Sequence, residues 1–465
     1  MNTRIEHDAL GERPVPAGAL WGIHTARAVE NFPLTGRPVR PELIRALARV
    51  KQACIRANVE LGWVDADIGR ALDEGCEAIA SGAHLDAFPV DALQGGAGTS
   101  FNMNMNEVLA NLALGRMNQP LGSYDRIHPI ETVNLHQSTN DVIPTALRVA
   151  AIEGVRSLSQ AWARAQGAFQ ALERAHQDIL VLGSTEGQPA VPLPLSSVFS
   201  AMGEALSWDR WRTFKAEERL RVINLGGTAV GTGLTAPREY IFRASDILRA
   251  LTGFPLSRAE NLVDATAHAD ALVEVSGMLD AGSVNLLKIS GDVRAWHGSG
   301  ELRLRAVQAG SSIMPGKVNP VLCEAVMQAA LRARANHGLV ADAVARGSLQ
   351  IQEFLPLIAD ALLETLSLLT AAAGRLAATV EGLTVNAATC AAHVASGPAL
   401  VTALLPDLGY DRAGELAAGF VASGEADIRA FLSERLDPDL VARRCSPEAL
   451  GRLGHDAPAP GAHPP

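Results

Sequence analysis

Aromatic residues make up only 4% of this 465-residue chain, although 48% of it is hydrophobic. A core so poor in rings is built from Ala, Leu and Val, the palette of close-packed helices. Strand-like alternation is scarce and β-branched runs are short, so the chain reads as mainly α. Cysteine is sparse too. Cys54, Cys76, Cys323, Cys390 and Cys445 are odd in number, scattered and without CxxC spacing. That argues against a zinc knuckle and fits a reducing cytoplasm. Basic charge is not in excess: the net charge of −10 argues against nucleic acid or an anionic membrane as partner. An anionic substrate would therefore need a local positive site. No run of eighteen uncharged apolar residues occurs, and "MNTRIEHDALGERPVP" has no apolar h-region, so neither a membrane span nor a signal peptide is expected.

What the chain does contain is helical periodicity on a large scale. Leu147, Ala151, Val155, Leu158, Trp162, Ala165, Phe169 and Leu172 form one apolar seam, predicting a helix of about 30 residues. "STNDVIPTAL" opens it with polar caps and places Pro144 in the first turn. A second segment, "IQEFLPLIADALLETLSLLTAAAGRL", is apolar on more than one face through Ile358, Leu362, Leu363, Leu366 and Leu369. Such a helix is buried, within one subunit and between subunits, with a kink expected at Pro356. At this length two or three domains are expected. The divisions read as a mixed helical domain over 1–140, a central long-helix bundle over 141–390, a small helical cap over 391–450 and a disordered tail over 451–465.

Four segments collect polar side chains that a helix-rich core does not need. "QAGSSIMPGKVNP", Gln308 to Pro320, holds Ser311, Lys317 and Asn319 among glycines and prolines that disfavour helix and strand. "QGGAGTSFNMNMNE" offers Thr99, Ser100, Asn102, Asn104 and Asn106; "NLHQSTND" offers Ser138, Thr139 and Asn140 just ahead of a helix, where free N–H groups attract anions. "GSTEGQPAVP" adds Thr185 and Glu186. The plain reading of each is a helix cap or turn. Together, hydroxyls and amides with one lysine would suit a small carboxylate. "GGTAVGTG", Gly226 to Gly233, lacks the GK[ST] of a P-loop and a preceding strand, and reads as a connection between helices. His24, His136, His268 and His297 show no metal spacing and read as structural or surface histidines.

With these segments in this order, the chain resembles the aspartase/fumarase superfamily. "GSSIMPGKVNP" is close to that family's signature, and "QGGAGTSFNMNMNEVLAN", "VNLHQSTNDVIPTALRVA", "VPAGALWGIHTARAVENFPLTG" and "NLGGTAVGTGLTAPREY" extend the likeness over residues 12 to about 430. The first loops look more like aspartate ammonia-lyases, whereas "GPALVTALLPDLGYDRAGELA" and "NPVLCEA" look more like class II fumarases. The resemblance implies a three-domain, mainly α subunit whose long helices pair in a homotetramer, with active sites where loops of three subunits meet. It implies a lyase that eliminates ammonia reversibly from L-aspartate to give fumarate, without metal or organic cofactor. The alternatives are fumarate hydration, a different substituted succinate, and a non-enzymatic scaffold. In such enzymes the first serine of the signature loop, here Ser311, is the base. N–H groups around Gly310 and Gly316, with Lys317 nearby, would stabilise its anion. Thr99, Ser138, Thr139, Asn140, Thr185, Lys317 and Asn319 would hold the substrate carboxylates and the aci-carboxylate intermediate. Gly310 and Gly316 would let the loop close over substrate.

One loop departs from the pattern. Where the family reads G-R-T-(His or Gln)-x-Q-D-A, this chain reads "GSTEGQPA": Ser184 replaces the arginine, Glu186 the His/Gln and Pro189 the aspartate. The family's His/Gln lies near the far carboxylate and is often partnered by a glutamate such as Glu324. Two carboxyls there would repel a dicarboxylate unless they shared a proton. Either Glu186 stays protonated and donates, or it turns away, or the substrate carries a cationic or neutral group at that place.

Overall fold

The apolar seam is a single helix, Thr139–Ala175, 37 residues long. A computed structural model describes residues 2–455; of the tail expected over 451–465, residues 456–465 lie outside the described residues. Every seam residue from Leu147 to Phe169 is buried, and Leu172 is half-buried as the helix ends. The chain is mainly α, 63% helical. The described strands form four two-stranded sheets, three antiparallel and one parallel.

Two proline expectations are corrected. The long helix begins at Thr139, so Pro144 falls in its second turn, where its missing N–H leaves the Asn140 carbonyl without the usual i+4 donor. The side chain of Asn224 supplies that donor, Nδ2 to the Asn140 carbonyl at 2.9 Å. The same amide bonds Thr266 Oγ1 at 3.0 Å. Asn224→Ala is therefore expected to cost about 1–3 kcal/mol, the penalty for an orphaned buried acceptor, read from the urea midpoint. Pro356 does not kink its helix. That helix runs Leu355–Glu381, and Pro356 is its second residue, where no intrahelical donor is lost.

Leu355–Glu381 is the one described helix long and apolar enough to cross a membrane by length and composition. Its acidic groups instead meet partners within the protein. Arg37 and Arg40 each reach Asp360 at 2.8 Å, and Asn336 Nδ2 reaches Glu364 at 2.8 Å. Ile358, Leu362, Leu363, Leu366 and Leu369 are all buried, so this is a core helix.

By backbone contacts the chain divides into two compact units, each discontinuous in sequence. The first comprises Met1–Gln160, Trp211–Ser283 and Ala329–Thr370; the second comprises Ala161–Arg210, Val284–Gln328 and Ala371–Pro465. Each of five long helices, Thr139–Ala175, Leu195–Leu220, Asp270–Ser299, Val321–Val344 and Leu355–Glu381, contributes residues to both. Within the second unit, Leu400, Leu404, Leu416, Phe420, Phe431 and Leu432 close a small core of their own. The helix Leu405–Ser423 in that core is broken at Gly409, whose φ of 74° lies in the left-handed region.

Candidate active site

In the first unit the polar residues gather at the start of the long helix. Ser138 caps it: its carbonyl accepts from Asp141 and Val142, its Oγ accepts the Asn140 N–H at 3.2 Å, and its own N–H reaches Asp141 Oδ1 at 3.0 Å. Thr139 and Asn140 lie inside the first turn rather than ahead of it. Asp141 is fully buried, and its other oxygen accepts the N–H groups of Gly226 and Thr228 at 3.2 and 3.0 Å. Burial pushes its carboxyl up to about 6 despite these three donors. The Gly226–Gly233 segment lies between the helices Leu195–Leu220 and Arg238–Thr252, as read from the sequence, although a two-residue strand, Val222–Ile223, precedes it where none was expected; the segment also braces this cap. Asn140 Nδ2 donates to the Ala229 carbonyl at 2.7 Å.

The segment Gln94–Glu107 is corrected from loop to helix beyond Gly98: Thr99–Arg116 is helical. Thr99, its first residue, is exposed and donates its hydroxyl to the Gly96 carbonyl at 2.7 Å. Asn102, Asn104 and Asn106 are buried on the helix. Asn104 donates to the Ala87 carbonyl, whereas Asn102 and Asn106 both donate to Asn134 Oδ1 at 3.2 Å. Asn102 Nδ2 also lies 3.3 Å from Thr139 Oγ1. A third donor to Asn134 Oδ1 is Lys51 Nζ at 2.8 Å, which also reaches Gln137 Oε1 at 2.8 Å.

Neither Lys51 nor Asp141 stands out by its residue type in the sequence. A signal for Lys51 exists: it is a lone lysine in "RVKQACIRAN", on a helix face otherwise lined by Leu47, Ala48, Cys54 and Ile55, all buried.

In the second unit, Gly310 to Pro320 is an irregular, mostly exposed segment pinned at its ends. The Gly310 N–H reaches the Lys317 carbonyl at 2.8 Å, and Asn319 Nδ2 reaches the Gly310 carbonyl at 2.8 Å. No other residue fits at 310, since a Cβ would stand 2.5 Å from the Lys317 oxygen. Ser311 Oγ accepts two backbone N–H bonds, from Met314 at 2.9 Å and Ile313 at 3.2 Å. The donors differ from those anticipated around Gly310 and Gly316, because the Gly310 N–H is committed to Lys317. Two N–H dipoles aimed at one hydroxyl oxygen favour its anionic form. Ser311, Met314 and Lys317 line one open hollow.

The segment holding Thr185 and Glu186 is a β-hairpin rather than a loop. Strands Leu180–Thr185 and Gln188–Pro194 pair with Thr185 opposite Gln188, leaving Glu186 and Gly187 as a two-residue turn. Both have positive φ, 53° and 74°, as this tight turn demands. Ser184, Thr185, Glu186 and Pro189 are exposed around the tip. Glu324, on the first turn of Val321–Val344, faces Arg294 at 3.8 Å. It thus has a cationic neighbour of its own. Among the described residues no three His, Cys, Asp or Glu side chains gather as a metal site.

A family model described as lyase matches residues 11–335. An aspartate ammonia-lyase of Pseudomonas aeruginosa is 41% identical over 444 residues, covering 94% of each chain. The chain belongs to the aspartase/fumarase superfamily. Solved superfamily structures superpose over nearly its whole length. A fumarate lyase:delta crystallin of Brucella melitensis gives a TM-score of 0.91 at 40% identity, covering 97% of this chain and 99% of its own. A class II fumarase of Schistosoma mansoni gives 0.90 at 28% identity, covering 96% and 98%.

Proposed function

We propose that the protein is a carbon–nitrogen lyase that reversibly eliminates ammonia from L-aspartate to give fumarate. The observation that carries this reading is Ser311, whose Oγ accepts two backbone N–H bonds within the family's signature loop. The serine alkoxide takes a proton from the carbon beside one carboxylate, and the electron pair spreads onto that carboxylate as an aci-acid. The pair then returns to form the double bond as the C–N bond breaks and ammonia leaves. Preorganised donors matter most at the aci stage, at about 10²–10³ in rate each. Thr99, Ser138, Thr139, Asn140, Thr185, Lys317 and Asn319 serve the two carboxylates, brought together from three subunits of a homotetramer. Ammonia as the leaving group is supported by the ammonia-lyase relative at 41% identity over almost the whole chain.

Fumarate hydration is the second reading, favoured by "LVTALLPDLGYD" and by the likeness to the Schistosoma fumarase. Purified protein incubated with L-aspartate or with L-malate separates the two, the conjugated product being followed by ultraviolet absorbance. Product from aspartate supports the proposal; product from malate alone overturns it.

Glu186 bears on specificity. Exposed at the hairpin tip, its carboxylate would oppose a second carboxylate unless protonated. Glu186→Gln removes the charge and keeps the shape. Activity on aspartate is expected to hold or rise in this variant, measured as kcat/KM. A fall of tenfold or more would mean that the carboxylate itself contacts a cationic part of the substrate.

A further inference from the structure

The helix Pro41–Glu60 buries an ammonium where an aliphatic side chain would ordinarily sit. Lys51 is fully buried, between Val50 and Gln52, which are buried as well. Taking such a charge out of water is costly unless it is well bonded, and a hydrophobic side chain of similar volume is often at least as stable. Burial pulls the Lys51 pKa down to about 8, so the fold holds this charge at a cost. Stability alone does not account for its presence.

Its bonds show what it holds. Lys51 Nζ donates to Asn134 Oδ1 and Gln137 Oε1, both at 2.8 Å, and both residues belong to the turn that leads into Ser138. Asn134 Nδ2 donates in turn to the Gln137 carbonyl at 3.2 Å. Asn102 and Asn106 converge on the same Asn134 oxygen, and Asn102 also touches Thr139 Oγ1. Three donors on one amide oxygen fix that side chain, and through it the approach to the cap. On the other side the Asp141 carboxylate holds the Ser138, Gly226 and Thr228 N–H groups. A buried cation and a buried anion therefore brace Ser138–Asn140, with Cys54, Cys76 and Tyr240 the other titratable groups close by.

We propose that Lys51 is a positioning residue, which sets the Ser138–Thr139–Asn140 cap for a substrate carboxylate through Asn134 and Gln137. This rests on the reading that the cap holds a carboxylate. It adds that the affinity of the cap is set from behind, by a residue with no access to substrate. On the reading that the cap holds the carboxylate that does not become the aci-acid, the effect falls on binding rather than on the chemical step.

The test uses the full-length protein and two variants. Lys51→Met removes the charge and keeps much of the volume. Asn134→Asp keeps the acceptor for Lys51, Asn102 and Asn106, which preserves the fold, but removes the Nδ2 donor that ties Asn134 to the Gln137 carbonyl ahead of the cap. For each, kcat and KM for aspartate are measured, together with the inhibition constant of succinate, an unreactive dicarboxylate. KM and the succinate constant are expected to rise together by about tenfold or more, with kcat within about threefold of wild type. If Lys51→Met does not fold, Asn134→Asp decides. Folded variants with wild-type KM and succinate binding would overturn the proposal while leaving the proposed function intact. If the wild-type protein neither turns over aspartate or malate nor binds succinate, both fail together.

Discussion

Ser311→Ala is expected to lower kcat by about 10²–10⁴-fold, the range for losing a positioned proton-transfer group. The hydroxyl is the only group lost, and its oxygen is the one atom in the Gly310–Pro320 segment on which two backbone N–H bonds converge. Folding should scarcely notice. The Ile313 and Met314 N–H groups are exposed, so water replaces the lost acceptor, and the Gly310–Lys317 and Asn319–Gly310 pins remain. The succinate inhibition constant should stay within about threefold of wild type, because a lost base removes an interaction made only in the transition state. Ser312→Ala is the matched control. Ser312 is exposed and accepts neither N–H bond, so near-normal kcat is expected. If the two variants exchange behaviours, Ser312 is the base. If Ser311→Ala turns over at near-normal rate, neither the alkoxide nor the N–H pair that supports it is part of the mechanism.

What was legible in the sequence followed from periodicity. The seam from Leu147 to Phe169 repeats near 3.6 residues, and it is buried along one helix. The stretch after Thr99 reads as a loop because its asparagines alternate with Phe101, Met103 and Met105, so no polar face emerges. The helix is buried on nearly all sides, and its asparagines find partners at Ala87, Asn134 and Thr139, remote in sequence. The hairpin tip at Glu186 and Gly187 was hidden for a different reason. Its strands are short and carry prolines at 189, 192 and 194, which sequence rules assign to loops. Pro144 misled through tertiary rescue, since nothing near it shows that Asn224 will satisfy the Asn140 carbonyl. The residue types at the chemistry were visible, whereas the buried groups that hold them, Lys51 and Asp141, were not. A lone charge on the buried face of a helix, as Lys51 is, marks a position but not a role until its partners are known.

Asp141→Ala tests that hidden layer by stability, and the expected loss is about 3–5 kcal/mol in urea unfolding near neutral pH. The magnitude follows from what the carboxylate holds. Three backbone N–H groups, of Ser138, Gly226 and Thr228, would be left without an acceptor, at about 1–3 kcal/mol for each buried donor that water does not reach. Two of them belong to the Gly226–Gly233 segment, so the cap and the segment that braces it loosen together. Lys51 loses the acidic charge that favours its own ionised form. The pH dependence has a definite sign. Burial raises the Asp141 carboxyl from 3.8 to about 6, so between those values the folded protein binds more protons at this site than the unfolded chain. By linkage, the contribution of Asp141 to stability falls as pH rises through that window. The gap between wild type and variant is therefore widest near pH 4 and narrows towards neutrality. A gap that widened as pH rose would mean that the three N–H bonds outweigh desolvation and hold the carboxyl below its ordinary value. A variant as stable as wild type at every pH would show that the cap needs no carboxylate behind it.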